Sequence, residues 1–414
     1  MFDVIVNILY KILFCYCAFS VLYLFILSLA GRLFYRSGTK PVPAGSRPPT
    51  MALLVPAYKE DGIILSTVEN LLALDYPRDA FGIYVIADGF EPETIVRLRA
   101  LDINVFEVVF DKSTKTKSLN EAFSRITRSY DIALIIDADN MLADNFLRKV
   151  QEAFAEGARA VQGRRVAKNL DSSFAILDAC SEAINNHIFR RGGNGIGLSS
   201  AVIGSGMAFE FDMVKEILGR IDAVGGFDKI LQLEIVKRGL SIRYLDDALV
   251  FDEKVSNSEA FQNQRKRWVS SQFIYFKRFL MPAFGQLFRG NLSYFNLAVL
   301  CNIVLPRAFL FILLPGFVVL SFLLSWIWPV VSLDWAWASM GLWVLYSLTM
   351  VMGLDKGLIN RDFWRAVLNL PKAIGLMLGS LFQVRKSNKT FIHTVHTKTE
   401  VTNYLFTENK KKNG

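Results

Sequence analysis

The stretch Asp131-Ile-Ala-Leu-Ile-Ile-Asp-Ala-Asp-Asn140 decides the fold of this chain. The apolar run Ile132 to Ile136 has the length of a strand and is too short for an ordinary helix. Having no polar face, such a strand is buried on both sides, as in a sheet covered by helices above and below. The run stops at Asp137-Ala138-Asp139, where residues i and i+2 point the same way while the chain stays extended. Two carboxylates so placed can hold a hard divalent cation that also takes phosphate oxygens. The alternative is a solvated strand-end loop, in which two acids recur by chance.

Three similar runs lie upstream: Met51 to Val55, ended by Pro56; Ile83 to Ile86, leading to Asp88-Gly89; and Val105 to Val109. Helical spacing of apolar residues separates them, over Asp61 to Leu74, Pro92 to Leu101 and Ser118 to Arg128. This alternation predicts an α/β, doubly wound sheet with helices on both faces. Ligands of such sheets bind beyond the carboxyl ends of the strands. The polar clusters Pro56 to Glu60, Asp88-Gly89 and Asp137 to Asn140 fall there.

The whole chain has 414 residues, 52% of them hydrophobic and 21% charged, with mean hydropathy +0.31. A soluble domain is less apolar, so general disorder is excluded and part of the chain needs lipid. The excess sits at the ends. Val4 to Ala30 is interrupted only by Asn7 and Lys11, and exceeds the ~20 residues a spanning helix needs. Asp3 precedes it, while Arg32, Arg36, Lys40 and Arg47 follow. That charge order predicts an anchor rather than a cleaved signal, with the following domain in the cytoplasm. Residues 41–49 form a proline-rich linker. Further spans are expected at about 304–327 and 336–353, joined through Trp328 to Trp337, which has no Lys or Arg. Phe363 to Phe382 contains Arg365, Pro371 and Lys372 and is expected to lie in the interface. The tail from Arg385 onward then stays in the cytoplasm.

Lys plus Arg is 47 and Asp plus Glu 38, a net charge of +9. That balance suits an anionic leaflet and a phosphate-bearing substrate, and no nucleic-acid partner is expected. Cys15, Cys17, Cys180 and Cys301 form no CxxC pair, so neither a disulfide framework nor a structural zinc site is expected.

Four further patterns carry chemistry. Lys115 and Lys117 open a helix and can grip a diphosphate, or simply face solvent. Asp228, after Gly225-Gly226, either caps a helix or takes a proton from a hydroxyl. Gln264, Arg267 and Trp268 share a helix face, with a guanidinium fork for phosphate and a flat ring for a sugar; lipid contact is the alternative. His393 and His396, spaced i, i+3, suggest a polar gating segment near the site more than a zinc pair.

Taken in order, VPAYKED, IADG, KTKSLNEA, DADN, VQGRR, GSGMAFE, FDKILQLE and QNQRKRW resemble the membrane-bound, inverting family-two glycosyltransferases. These include the cellulose, hyaluronan and poly-N-acetylglucosamine synthases. The likeness runs from Thr50 to about Gln272, plus the flanking spans. It implies a GT-A-like, nucleotide-sugar-binding α/β domain flanked by transmembrane helices. The expected division is an anchor at 1–31, a linker at 32–49 and the GT-A domain at 50–256. An amphipathic interfacial segment at 257–290 carries QxxRW. Transmembrane and interfacial helices occupy 291–384, and a basic cytoplasmic tail 385–414.

The resemblance further implies donor contacts from Ala57, Tyr58, Glu60, Asp88, Lys115, Asp137, Gln264 and Arg267. Asp137 and Asp139 would hold Mg²⁺ or Mn²⁺. Gln162, Gly204, Ser205, Gly206 and Trp268 would face the acceptor, and Asp228 would be the catalytic base. Where the family has two neighbouring acids before the base position's helix, this chain has Phe227-Asp228, keeping one. The implied function is transfer of a hexose or N-acetylhexosamine from a nucleotide diphosphate sugar, UDP above all, to a glycan in cell-surface polysaccharide synthesis. Single transfer to a lipid-linked acceptor and a non-catalytic membrane scaffold are the alternatives. The setting implied is the cell (inner) membrane.

Overall fold

A computed structural model of the protein describes the chain except residues 44, 222, 224, 256–257, 329–330, 373, 376–395 and 407–414, and except the side chains of 258–261 and 263–271. Its centre is one mixed sheet of eight strands. They are β1 (Met51–Tyr58), β2 (Phe81–Asp88), β3 (Asn104–Val108), β4 (Ile132–Ile135), β5 (Met141–Leu142), β6 (Ala160–Ala167), β7 (Met207–Glu210) and β8 (Arg243–Asp252). The order across the sheet is β3-β2-β1-β4-β7-β6-β8-β5.

The four expected strands form its parallel half, with Leu53 opposite Ile83 and Leu134. Alternate residues feed two separate cores. Ala52, Leu54, Ile86 and Ile135 face one, under helix Lys115–Arg125; Met51, Leu53, Ile83 and Leu134 face the other, under helices Ile64–Leu72 and Pro92–Arg99. Each large aliphatic side chain so buried contributes about 1.5–3 kcal/mol. The second half departs from the expected pattern. β7 runs antiparallel to β4 and β6, and β8 runs parallel to β6 and antiparallel to β5. The sequence reading places no strand there, because Arg164-Arg165 interrupts the apolar run of β6.

Three helices are long and apolar enough to cross a membrane: Phe2–Leu33, Arg307–Trp326 and Leu333–Met352. They begin and end within a few residues of the expected spans. Tyr10 joins all three, its hydroxyl within hydrogen-bond distance of Ser321 (3.0 Å) and Ser339 (2.9 Å). Helix Ser258–Phe288 follows the sheet, over the segment expected to be interfacial. Phe279 and Ala283 are buried on the core of the sheet domain, while Phe273, Ile274, Met281 and Phe288 are exposed. Within the expected interfacial segment, helix Arg361–Leu368 buries Phe363 and Ala366 beside helix Ser173–Asn185; residues 376–395 lie outside the described residues.

Within the segment expected to be a basic tail, residues 396–406 are described. Val401, Leu405 and Phe406 pack on Met141, Val166 and Phe251. Buried Asn403 donates to the Ala167 carbonyl at 2.7 Å, and the Thr402 N–H to that of Lys168 at 2.9 Å. Residues 396–406 are therefore a strap docked on the sheet edge.

Candidate active site

The sheet register sets the ends of β1, β2 and β4 side by side. Tyr58 pairs with Asp88, and the Lys59 N–H donates to the Asp88 carbonyl at 3.0 Å. Lys59 has φ +54°, a strained conformation for a residue with a Cβ, of the kind found at ligand clamps. Asp88 is buried, and its Oδ2 has no hydrogen-bond partner. Burial pushes that carboxyl up, against the pull of Ser113 and Lys59. An orphaned acceptor at the strand ends is suited to a donor group on a ligand.

Beyond β4 the two aspartates are tightly braced. Lys115 Nζ forms an ion pair with Asp137 and donates to the Gly204 carbonyl at 2.7 Å. Ser205 Oγ accepts from the Asp137 N–H at 2.9 Å. With its amide oriented to satisfy both ends, Asn140 accepts from Ser205 Oγ (2.6 Å) and donates to Asp139 (3.1 Å) and Asp252 (3.2 Å). Fully buried Lys168 donates to the Asp139 carbonyl at 2.9 Å. Burial pushes the Asp139 carboxyl up to about 6; Asp252 and Asp137 add to this, while His396 and Lys168 oppose it. Carboxylates crowded in this way are what a divalent cation relieves. Among the described residues no group of three or more His, Cys, Asp or Glu could by itself hold a metal. Asp137 and Asp139 therefore fit a cation that completes its shell from a ligand's phosphates.

The loop expected at the acceptor serves two purposes. Gly204 has φ +88° and open space where a Cβ would stand. Gly206 has φ +61°, and a Cβ there would lie 2.2 Å from Val250 Cγ2, so only glycine fits. Gln162 is fully buried; its Nε2 donates to the Ser205 carbonyl (2.9 Å) and its Oε1 accepts from Ile203 (3.0 Å). Its amide is thus spent on holding this loop from beneath, where the sequence suggested a direct acceptor contact. Ser205 is likewise buried and braces the Asp137 loop.

Asp228 stands in the first turn of helix Phe227–Lys237. The cap position is Gly226, at φ +69°, and no side chain caps the helix, so the capping alternative does not describe Asp228. The Lys115 ammonium lies 5.5 Å over the Phe227 ring, which sets this helix beside the Lys115–Asp137 pair. Tyr275, from helix Ser258–Phe288, donates to the Gly225 carbonyl at 2.5 Å. Gln264, Arg267 and Trp268 belong to that same helix, and their side chains lie outside the described residues, as does His393.

His396 was expected only as part of a polar segment near the site. Its Nδ1 lies 2.9 Å from Glu60 Oε1, and the Thr397 and Lys398 N–H groups donate to Glu253 at 3.1 and 2.9 Å. Burial disfavours the imidazolium, yet Asp139, Glu60 and Glu253 outweigh it and hold the group up at about 10. Glu60 thus has a partner 336 residues away in the chain, a pairing that no local pattern announces.

Lys115, the paired aspartates at the end of β4 and the helix that carries Asp228 now stand together. The model of a family described as "Glycosyltransferase like family 2" matches residues 48–271, more than half of the chain. The chain belongs to this family. It is 24% identical over 244 residues to a probable glycosyltransferase of Bacillus subtilis, covering 55% of this chain and 57% of that one. It is 24% identical over 254 residues to an N-acetylglucosaminyltransferase of Rhizobium meliloti, covering 56% and 58%. A beta-monoglucosyldiacylglycerol synthase of Trichormus variabilis is 23% identical over 230 residues, covering 54% and 49%. The matches thus span about half the length of these curated relatives. Among solved structures, a mannosyltransferase of Pyrobaculum calidifontis superposes with TM-score 0.56 at 15% identity, over 94% of this chain and all of that one. The mixed α/β sheet is the GT-A glycosyltransferase fold, here in a chain with three candidate membrane helices.

Proposed function

We propose that this family-two glycosyltransferase inverts the anomeric carbon as it moves a hexose or N-acetylhexosamine from a UDP-sugar to a hydroxyl of a glycan at the membrane. The observation that carries the reading is the braced Asp137–Asp139 pair, with Lys115 shared between it and the helix of Asp228. Ala57, Tyr58 and Asp88 cradle the nucleoside at the strand ends. Asp137 and Asp139 would hold Mg²⁺ or Mn²⁺, which would supply positive charge to stabilise the leaving diphosphate. The mannosyltransferase structure was solved with GDP-Man and Mn²⁺, which supports such a site here. Lys115 exchanges Asp137 for phosphate oxygens, and Arg267 adds a second cation to the leaving group. Asp228 takes the proton of the acceptor hydroxyl as it attacks from the far face. Gly204 leaves room for the acceptor, and Trp268 offers it a flat surface. The catalytic domain faces the cytoplasm, and the spans anchor it in the cell membrane.

A second reading, one sugar per lipid-linked acceptor, is favoured by the close packing of the three spans around Tyr10, which leaves little room for a polymer between them. Nucleotide release over a panel of nucleotide-sugars, with divalent metal present or chelated, tests the donor side. Metal-dependent turnover of one UDP-sugar, lost in Asp139→Asn with the fold intact, is expected. Full activity in excess chelator would sink it. Counting sugars per acceptor separates the two acceptor readings.

A further inference from the structure

A second charged site lies where the membrane helices meet the catalytic domain, on residues the reaction does not use. A cavity of about 210 Å³ is lined by Arg32, Arg164, His187, Arg191, Asp355 and Lys356, together with Met352 and Gly353. Arg32 is in the last turn of the first membrane helix, and Met352 is the last residue of the third. The cavity therefore sits at headgroup depth, on the side of the catalytic domain.

Its charges do not balance. Arg164 reaches Asp355 at 2.6 Å and Asp246 at 3.6 Å, and Arg191 grips Asp246 at 2.5–2.8 Å. Asp246 is available because β6 and β8 lose register after Gly163, which releases residues 246–248 from the ladder. Bulges of this kind commonly re-aim side chains next to sites. Two carboxylates thus answer two arginines. Arg32 and Lys356 remain, both exposed, with no ion-pair partner among the described residues. Two buried atoms are also orphaned, Arg164 Nε and His187 Nε2. His187 is 4% exposed. Burial, then Arg191 and Arg32, push its imidazole down to about 4, against the hydrogen bond to the Ser28 backbone. The ring is neutral, and its free nitrogen accepts rather than donates.

Basic residues that only flank a span by the positive-inside rule point into bulk water and leave no buried atom unpaired. This cavity has two surplus cations at its mouth, a buried N–H donor and a buried acceptor. We propose that it binds an anionic phosphate group at the membrane surface, the headgroup of an acidic phospholipid, with Arg32, Lys356 and Arg164 on the phosphate oxygens and His187 Nε2 on a headgroup hydroxyl. Charge-assisted contacts of this type are the strong ones in a half-dry site. The site is independent of the sugar-transfer reading, since it shares no residue with it.

Native mass spectrometry of the full delipidated chain in detergent tests the inference, with phosphatidylglycerol, phosphatidylcholine and inorganic phosphate as probes. Phosphatidylglycerol is expected to bind on the order of tenfold more tightly than phosphatidylcholine. Arg32→Gln with Lys356→Gln should weaken it by roughly 25-fold, at about a fivefold loss per cation near an anionic surface. Both positions are exposed, so the double variant folds. Asp139→Asn should leave lipid binding unchanged, which separates this site from the donor site. Saturable inorganic phosphate binding that the double variant loses, without lipid retention, would support the phosphate site and assign it to a soluble phosphate. Equal phosphatidylglycerol binding by wild type and double variant would overturn the proposal.

Discussion

Asp228 and Glu182 show two uses of a carboxylate. Asp228 is partly exposed in a first helical turn whose cap is Gly226. Asp228→Asn should therefore leave stability unchanged and lower single-turnover rate by ~10²-fold or more, with donor still bound. A normal single-turnover rate would remove it as the base. Glu182 is buried among Arg165 (2.7 Å), Arg190 (3.3 Å) and Lys254 (3.7 Å). Burial alone would raise its carboxyl, but these three cations hold it well below the usual carboxylate range. Glu182→Gln strands those cations and should cost about 3–5 kcal/mol at pH 7, read by denaturant unfolding in detergent. A depressed carboxyl stabilises above its unfolded value and loses that contribution as pH falls through the folded one. The gap between wild type and Glu182→Gln should therefore narrow as pH falls below the 4.5 of an ordinary glutamate. The acid of Asp228 is legible in sequence because it follows a glycine pair ahead of a helix. Glu182 is not, because its partners come from β6, from the residues just after β8 and from the turns that follow its own helix.

Among the elements, the strap and the amphipathic helix are the most exposed to test. Asn403 anchors the strap through a buried hydrogen bond to Ala167. Asn403→Ala leaves that carbonyl without its partner, a cost of about 1–3 kcal/mol, so hydrogen exchange over 396–406 should quicken while β1–β4 keep their protection. Unchanged exchange would show that the apolar contacts of Leu405 and Phe406 suffice. Helix Ser258–Phe288 exposes Phe273, Ile274, Met281 and Phe288, at 49–88% of their surfaces. An apolar face beside a buried one suits a helix lying in the headgroup region. The docking of the strap was not visible in advance, since its apolar residues are few and their partners lie on β5, β6 and β8.

At the scale of the whole molecule, the three membrane helices and one sheet make an orientation testable. Helix Phe2–Leu33 runs into the catalytic domain, so the junction at Trp326 to Leu333 lies on the opposite side. A cysteine at Leu333 should label from outside, and one at Arg361 only after permeabilisation; the reverse would invert the topology. The long apolar helices, the parallel half of the sheet and the paired aspartates after its central strand β4 are legible in the sequence alone. Those depend on local period and on the abrupt change from apolar to charged, which any short window contains. Folding alone settled the mixed second half, where β6 carries two half-buried arginines whose counter-ions are distant in the chain. It also decided that Gln162 and Ser205 brace the site from within, that His396 meets Glu60, and that surplus cations collect at the membrane junction. Each is a pairing between residues far apart in sequence, and the desolvation that makes such pairs matter arises only when the chain has closed around them.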